Sequence, residues 1–249
     1  MKENRGQITI FIIISILILA VVVLFFTFRG KIGKEKPLSP ETSEIQNFVQ
    51  ECLDESLERV VFRIGENGGY YSLDKTASTS ILEAPYYIKN NRSLMPSKEK
   101  IQNEISGGVA RELIFCINNF ASFPEYEITK GKMAYPEVII EAERVLVDIN
   151  YPLTIIKGDS KFKLKNFNSE IPVKLGIIYD AVEEFINQSI NTNGFCISCL
   201  GDIQGKYKIF IDGHYSEETK DIVFIAVNED EYFEQNEDVF KYVFAIEQK

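Results

Sequence analysis

Residues 144–156 read RVLVDINYPLTII, and this stretch decides the fold class. Every second residue from Val145 to Ile155 is apolar or aromatic, and most residues between them are polar or Pro. Such alternation is typical of a strand with one buried face. Residues 126–133 and 137–143 alternate in the same way. The three stretches together predict an antiparallel meander.

Helical periodicity precedes the meander. Apolar residues recur at three- and four-residue spacing over 39–64 and again over 96–119, which predicts two amphipathic helices. Each stretch opens with a Ser/Pro pair, a helix-start signal. Gly107 and Gly108 lie in the middle of the second helix and predict a bend or close packing there.

The rest of the chain adds a third helix and several short strands. The helix is predicted over 171–190, and the strands over 70–73, 86–88, 161–164, 206–212, 222–228 and 239–246. Helices and strands come in blocks rather than in strict alternation. The sequence therefore predicts an α+β domain with two to three amphipathic helices packed on a mainly antiparallel sheet.

An uncharged apolar run lies near the N-terminus. Residues 6–28 read GQITIFIIISILILAVVVLFFTF, 23 residues without a charge. As a helix the run would be roughly 34 Å long, enough for a hydrocarbon core of about 30 Å. A cleaved secretory signal has a shorter apolar core that ends at a small-residue cleavage site. This run is longer and has no such site. The run predicts an N-terminal transmembrane helix.

The predicted organisation follows from this run. Residues 1–6 form a short basic leader, 7–28 the transmembrane helix, 29–38 a linker and 39–249 the α+β domain, with a subdivision near residue 125. From residue 37 onward the chain holds 21 Lys/Arg against 35 Asp/Glu. A domain this acidic repels nucleic acid and anionic headgroups, so we expect no nucleic-acid partner. The basic residues after the run favour a cytoplasmic domain by the positive-inside rule.

The residues from Arg5 to Phe11, RGQITIF, followed by the apolar run, resemble the start of archaeal pilin-like proteins with a class III signal peptide. The resemblance implies cleavage between Gly6 and Gln7 and a head domain outside the cytoplasm. On that ground we expect an extracytoplasmic domain, against the charge rule. Members that form filaments usually carry Glu at the fifth mature residue, where this chain has Phe11. That departure counts against filament assembly.

A looser resemblance covers most of the chain. The stretches FVQECL at 48–53, GGY at 68–70 and YPLTI at 151–155, with a helix carrying Cys116, resemble a family of uncharacterised archaeal single-pass membrane proteins with an RGQ/KGQ-type start. That resemblance implies no activity, because the family has none established.

Four cysteines allow three disulfide connectivities. Cys52 and Cys116 lie on the apolar sides of the first two helices, which favours a bridge between them; two separate buried thiols are the alternative. Cys196 and Cys199 form a CxxC motif. A structural clip is one interpretation, and redox activity, which needs a helix N-terminus, is another. The flanking residues predict a turn or strand instead. A zinc site would need four ligands.

The other candidate sites have interpretations that involve no catalysis or metal binding. His214 sits in a predicted turn, without a nucleophile motif. The acidic stretch 228–238 lacks the spacing of a calcium loop and predicts a solvated loop or helix turn. Asn91 and Asn187 begin glycosylation triplets, the second within a predicted helix. We therefore predict no catalytic residues, no cofactor and no metal, and hence no enzyme.

The sequence leads to three hypotheses of function. The first is a single-pass membrane protein with an extracytoplasmic head of structural or interaction type, held in the lipid bilayer through residues 7–28 and associating with itself or with other proteins. The second is a membrane-tethered thiol–disulfide redox protein that uses Cys196 and Cys199. The third is a solute-binding surface domain.

Overall fold

The computed structural model describes residues 40–74, 76–78, 82–192, 196–217, 219–230 and 239–248, together with Ile18. The chain divides into two compact units, Met1–Ser43 and Glu44–Lys249. Position 125 lies inside the second unit. The predicted leader, transmembrane helix and linker lie outside the described residues, apart from Ile18. Among the helices that the structure describes, none has both the length and the apolar character needed to cross a membrane.

The fold is mixed α+β, as predicted, with mainly antiparallel sheets. Over the described ranges the helices are four: α1 (Pro40–Glu66), α2 (Lys98–Ile117), α3 (Leu175–Asn191) and α4 (Ile197–Tyr207). A short 3₁₀ helix, Asn118–Phe120, follows α2. The strands are β1 (Thr76–Ser78), β2 (Glu83–Lys89), β3 (Arg92–Ser93), β4 (Glu127–Lys130), β5 (Glu137–Ile140), β6 (Val145–Lys157), β7 (Ser160–Ile171), β8 (Ile209–Tyr215), β9 (Ile222–Asn228) and β10 (Lys241–Ile246).

The predicted meander forms a sheet around the long strand β6. One edge of β6 pairs with β7, and the other pairs with β5 and then β4, all antiparallel. The alternating apolar residues of β6 are all buried: Val145, Val147, Ile149, Tyr151, Leu153 and Ile155. The period of two in the sequence therefore marks the face of this sheet that joins the core.

The second sheet joins distant parts of the chain. Its strand order is β1-β2-β10-β9-β8, with β3 beside β2. Strands β10 and β2 are parallel, although about 160 residues separate them, and the other pairs are antiparallel. Every residue of β10 from Tyr242 to Ile246 is buried, so this strand is covered on both faces.

The helices link the two sheets through one core. Residues of α1, α2 and α3 belong to the same buried cluster as the inner faces of both sheets. On α3, the ring of Phe185 lies 5.3 Å from that of Phe224 on β9. On α2, Gln102 and Ser106 donate hydrogen bonds to the backbone carbonyls of Val138 (2.5 Å) and Pro136 (2.6 Å). These bonds satisfy carbonyl groups at the buried edge of β5.

Several predicted boundaries were wrong. Residues 70–73 form no strand, because Gly68 and Gly69 turn the chain with positive φ and the Tyr71 amide bonds the Glu104 carboxylate instead. The strand predicted over 206–212 begins at Ile209, since α4 continues to Tyr207. The third helix starts at Leu175 rather than 171, because Ile171 still pairs with Val145 in the first sheet.

Candidate functional site

The first cysteine pair joins two helices. Cys52 on α1 and Cys116 on α2 form a disulfide with their Cα atoms 5.6 Å apart. Cys52 is buried, and the Ser56 hydroxyl donates a hydrogen bond to its carbonyl at 2.6 Å. The structure thus contains the bridge that the apolar helix faces favoured. It closes a loop of 64 residues between elements that pack side by side.

The second pair lies at the start of a helix, contrary to the turn or strand that we predicted. Cys196 is the residue before α4 and Cys199 lies in its first turn, and the two form a disulfide. The glycine after the motif misled the prediction: Gly201 sits inside α4 with open space where a Cβ would be, as does Gly205. An exposed helix face tolerates glycine. The local sequence therefore does not indicate that a helix begins here.

The surroundings of this bridge restrict its chemistry. Cys196 is only 6% exposed, and its amide donates to the buried Ser189 hydroxyl at 3.1 Å. Cys199 is partly exposed and packs against the core. A helix N-terminus stabilises a thiolate, so reduction would leave a favoured anion at this position. Cys196, the residue directly before the start of α4, is the more deeply buried of the two cysteines.

His214 lies on strand β8 rather than in the predicted turn. Its Nε2 is 3.3 Å from a carboxylate oxygen of Asp212, two residues earlier on the same strand, and both side chains are about half exposed. The Asp212 carboxylate also accepts a hydrogen bond from the Gly213 amide. The contacts of this pair are local to the strand and bring no hydroxyl or thiol nucleophile to the imidazole.

The two glycosylation triplets differ in access. Asn187 is exposed on α3, but the Ser189 that completes its triplet is fully buried and bonds the Cys196 amide. Asn91 occupies the turn between β2 and β3, and its Ser93 is exposed. In the triplet at Asn91 the asparagine is partly exposed and Ser93 is exposed, so its access is less restricted than that of the triplet at Asn187.

A groove absent from the sequence predictions runs along β2. It has a volume of about 480 Å³ and is lined by Tyr70, Ser72, Leu73, Asp74, Pro85, Tyr86, Lys89 and Leu94. The Lys89 ammonium lies 3.9 Å above the ring of Tyr86, whose hydroxyl bonds Asp221 at 2.5 Å. Burial and this hydrogen bond raise the pKa of Tyr86 to about 12. Aromatic and apolar side chains with a few polar groups among them are typical of the lining of small-molecule pockets.

Metal-ligating side chains do not cluster in the described part of the chain. No group of three or more His, Cys, Asp or Glu side chains there is arranged to hold an ion. The acidic stretch 228–238 lies mostly outside the described residues, at 231–238, while Asn228 ends β9. Gly6 and Gln7, the predicted cleavage site, also lie outside them.

Comparisons with protein-family models, with curated proteins and with solved structures return no match.

Proposed function

We propose that this chain is a single-pass membrane protein, pilin-like at its N-terminus, whose extracytoplasmic α+β head has a structural or interaction role. The observation that carries the proposal is the use of all four cysteines in two disulfides. Disulfides persist in oxidising compartments outside the cytoplasm and are rare within it. The apolar run at 7–28 supplies the anchor, and the RGQ start supplies the route of processing.

The Cys52–Cys116 bridge supports a structural role for these disulfides. It joins the buried Cys52 on α1 to the partly buried Cys116 on α2, where Arg59 also pairs with Glu112 at 3.1 Å across the same interface. A bridge of this kind stabilises the fold by restricting the conformations of the unfolded chain. A head stabilised by such a bridge is consistent with a structural protein at the cell surface.

The intact mass of the chain, purified from native membranes and alkylated before and after reduction, tests the proposal. We expect a chain that starts at Gln7 and takes up alkyl groups on four cysteines only after reduction. A Gly6→Val variant serves as control, because it blocks cleavage at the predicted site while leaving the anchor and the head unchanged. A wild-type chain starting at Met1 with four free thiols would overturn the proposal.

A second candidate function is thiol–disulfide exchange by Cys196 and Cys199. The observation that favours it is the position of this bridge at the start of α4. A substrate thiolate would attack one sulfur, the other would leave as a thiolate, and a second substrate thiol would then displace the mixed disulfide. The substrate dithiol is oxidised to a disulfide, and Cys196 and Cys199 are reduced to two thiols.

Single-cysteine variants separate this candidate from a structural clip. In a redox protein, Cys199→Ser or Cys196→Ser would leave one thiol that traps mixed disulfides with partner proteins. Cys52→Ala/Cys116→Ala is the matched control, because it removes a bridge that has no helix N-terminus beside it. Absence of mixed disulfides in both single variants, with the head still folded, would eliminate the redox candidate.

A further inference from the structure

Strand β8 lies at one edge of the second sheet. It pairs with β9 and with no other strand that the structure describes. Backbone hydrogen bonds extend the β8–β9 ladder at both ends: the Glu229 amide donates to the Lys208 carbonyl at 3.1 Å, and the Ser216 amide donates to the Asp221 carbonyl at 2.7 Å. Hydrogen-bonded pairs alternate along an antiparallel ladder, so the even-numbered residues of β8 are the ones that bond β9.

The odd-numbered residues of β8 direct their amides and carbonyls to the free edge. The Ile211 carbonyl accepts a hydrogen bond there from the Gln204 side chain of α4, at 2.9 Å. Beyond Ile211 the edge is open. The Gly213 amide bonds the neighbouring Asp212 carboxylate at 2.9 Å, and no group in the described ranges bonds the Gly213 carbonyl or the Tyr215 amide. All residues from Asp212 to Tyr215 are exposed.

Two other sheet edges are protected against pairing. Gln102 of α2 donates a hydrogen bond to a carbonyl of β5. Gln50 of α1 donates to the Asn168 carbonyl of β7 at 2.7 Å, and β7 also carries the exposed Lys161 and Lys163. Covering side chains and lysines are common means by which proteins keep edge strands from pairing. The open part of β8 has no such cover and contains neither Lys nor Pro.

The sequence of the open segment is complementary to itself in an antiparallel arrangement. When Gly213 lies opposite Gly213 of a second copy, Asp212 lies opposite His214 and Ile211 lies opposite Tyr215. The odd-numbered residues are then the hydrogen-bonded pairs, as the free edge requires. Oppositely charged side chains and apolar side chains directly across two strands stabilise their pairing. The twofold arrangement therefore matches both the backbone and the side chains of this edge.

We propose that β8 pairs antiparallel with β8 of a second copy of this chain, around a twofold axis at Gly213. The two six-stranded sheets then form one continuous sheet, by strand addition at the exposed edge. Because both copies use the same surface, the contact closes as a dimer. The Ile211 carbonyl accepts the Tyr215 amide of the second copy beside the Gln204 amide, since a carbonyl oxygen has two lone pairs.

The contact is small, and this determines its strength. The paired segment is 211–215, whereas stable protein interfaces use about 20–30 residues on each side. We therefore expect a reversible dimer whose population rises with protein concentration. The inference names a partner for the interaction role and in that respect rests on the proposed function, but it needs neither the anchor nor the cleavage site.

Disulfide cross-linking of full-length chains tests the register. One tagged copy carries Asp212→Cys and a second, differently tagged copy carries His214→Cys. The proposed pairing places these two Cα atoms about 4.5 Å apart, within the range of a disulfide. Two copies of the same variant place their cysteines about 7–8 Å apart on the diagonal, which is too far. We expect mild oxidation to yield several-fold more heterodimer than either homodimer.

Two controls accompany this measurement. Lys161→Cys mixed with Lys163→Cys places cysteines at alternate exposed positions of β7, and its yield measures random collision. Tyr215→Pro, added to both cross-linking chains, removes an amide that points to the free edge and leaves the bonds to β9, and edge strands tolerate proline. We expect it to lower the heterodimer yield several-fold. Hydrogen exchange of β9 checks that this variant folds, and the comparison of heterodimer with homodimers decides the register without it.

The outcomes separate this proposal from the proposed function. Equal yields of heterodimer and homodimers, or a heterodimer yield no higher than that of the β7 control, would overturn the pairing. A dominant homodimer of His214→Cys would move the axis to His214 and overturn the register. Cross-links to a different protein instead of the second copy would also overturn the proposal. A chain that starts at Met1 with free thiols would overturn the proposed function alone, whatever the cross-links are.

Discussion

Gly108 lies on α2 where both α1 and the loop that carries Tyr71 approach closely. A Cβ at this position would lie 2.6 Å from a ring carbon of Tyr71 and 2.7 Å from a methyl of Val60. The ring cannot easily move aside, because its hydroxyl bonds Glu112 at 2.7 Å and the Arg111 guanidinium lies 4.6 Å above it. Of the two explanations that the sequence left open for the Gly pair, close packing is the one that the structure contains at this residue.

We expect Gly108→Ala to lower the free energy of unfolding by about 1–3 kcal/mol, through overpacking. The measurement is urea unfolding followed by circular dichroism. Gly107→Ala is the matched control, since it has open space around its Cβ and gains helix propensity, and it should be neutral or stabilising by up to about 1 kcal/mol. Equal effects of the two substitutions would contradict the packing argument.

Four tyrosine hydroxyls make stability depend on high pH. Burial is the first cause that raises the pKa of Tyr86 and Tyr179, to about 12 each, and that of Tyr87 and Tyr242 well above the ordinary value. The hydroxyls of Tyr87 and Tyr242 are 2.6 Å apart in the core. Folding therefore favours the protonated form of these side chains.

The sign of the effect follows from linkage. An unfolded tyrosine loses its proton near pH 10, whereas the folded side chains keep theirs to higher pH. Their contribution to stability is complete below about pH 10 and is lost as the pH rises toward 12 and beyond. We expect the urea midpoint to fall over that range and tyrosinate absorbance to appear together with unfolding. Full tyrosinate absorbance before any loss of structure would show that the hydroxyls are accessible.

At the scale of elements, the two disulfides should contribute unequally. The Cys52–Cys116 bridge closes a loop of 64 residues and the Cys196–Cys199 bridge a loop of three. Loop-closure entropy then gives about 4 kcal/mol for the first and about 2 kcal/mol for the second as upper figures.

The comparison needs two double variants measured side by side. Cys52→Ala/Cys116→Ala should lower the urea midpoint clearly more than Cys196→Ala/Cys199→Ala does. Wild-type protein under reducing conditions should resemble the combination of both. A larger loss from the second pair would mean that the start of α4 depends on its bridge.

The elements also separate what the sequence could predict from what it could not. Strand β6 and helices α1 and α2 follow from local periodicity, because one face of each is buried and the period reports that face. Helix α4 was missed, since its first turn contains the CxxC motif and its exposed side carries two glycines. The parallel pairing of β2 with β10 depends on contacts between distant residues, which no local pattern encodes.

The same limit applies to the candidate sites. The apolar helix faces of Cys52 and Cys116 favoured their bridge, and the structure contains it. The groove at Tyr86 was not predicted, because its lining comes from β2 and from the loop after α1, which only the fold brings together.

At the scale of the whole molecule, residues 44–249 should unfold as one cooperative unit. The buried cluster includes α1, α2, both strands at the centres of the sheets and α3, without a break near residue 125. Removing side chains in either sheet should therefore shift the same transition. Ile155→Ala on β6 should cost about 2–5 kcal/mol, and Phe224→Ala on β9 about 3–5 kcal/mol.

Hydrogen exchange measured by mass spectrometry can check this cooperativity. Near the unfolding midpoint, peptides from β6 and from β9 should exchange with the same free energy in the wild-type chain, and each variant should lower both values together. Thr129→Ala, at an exposed position on β4, is the control and should change neither by more than about 0.5 kcal/mol. If Ile155→Ala lowered protection in the first sheet alone, the two sheets would belong to separate cooperative units.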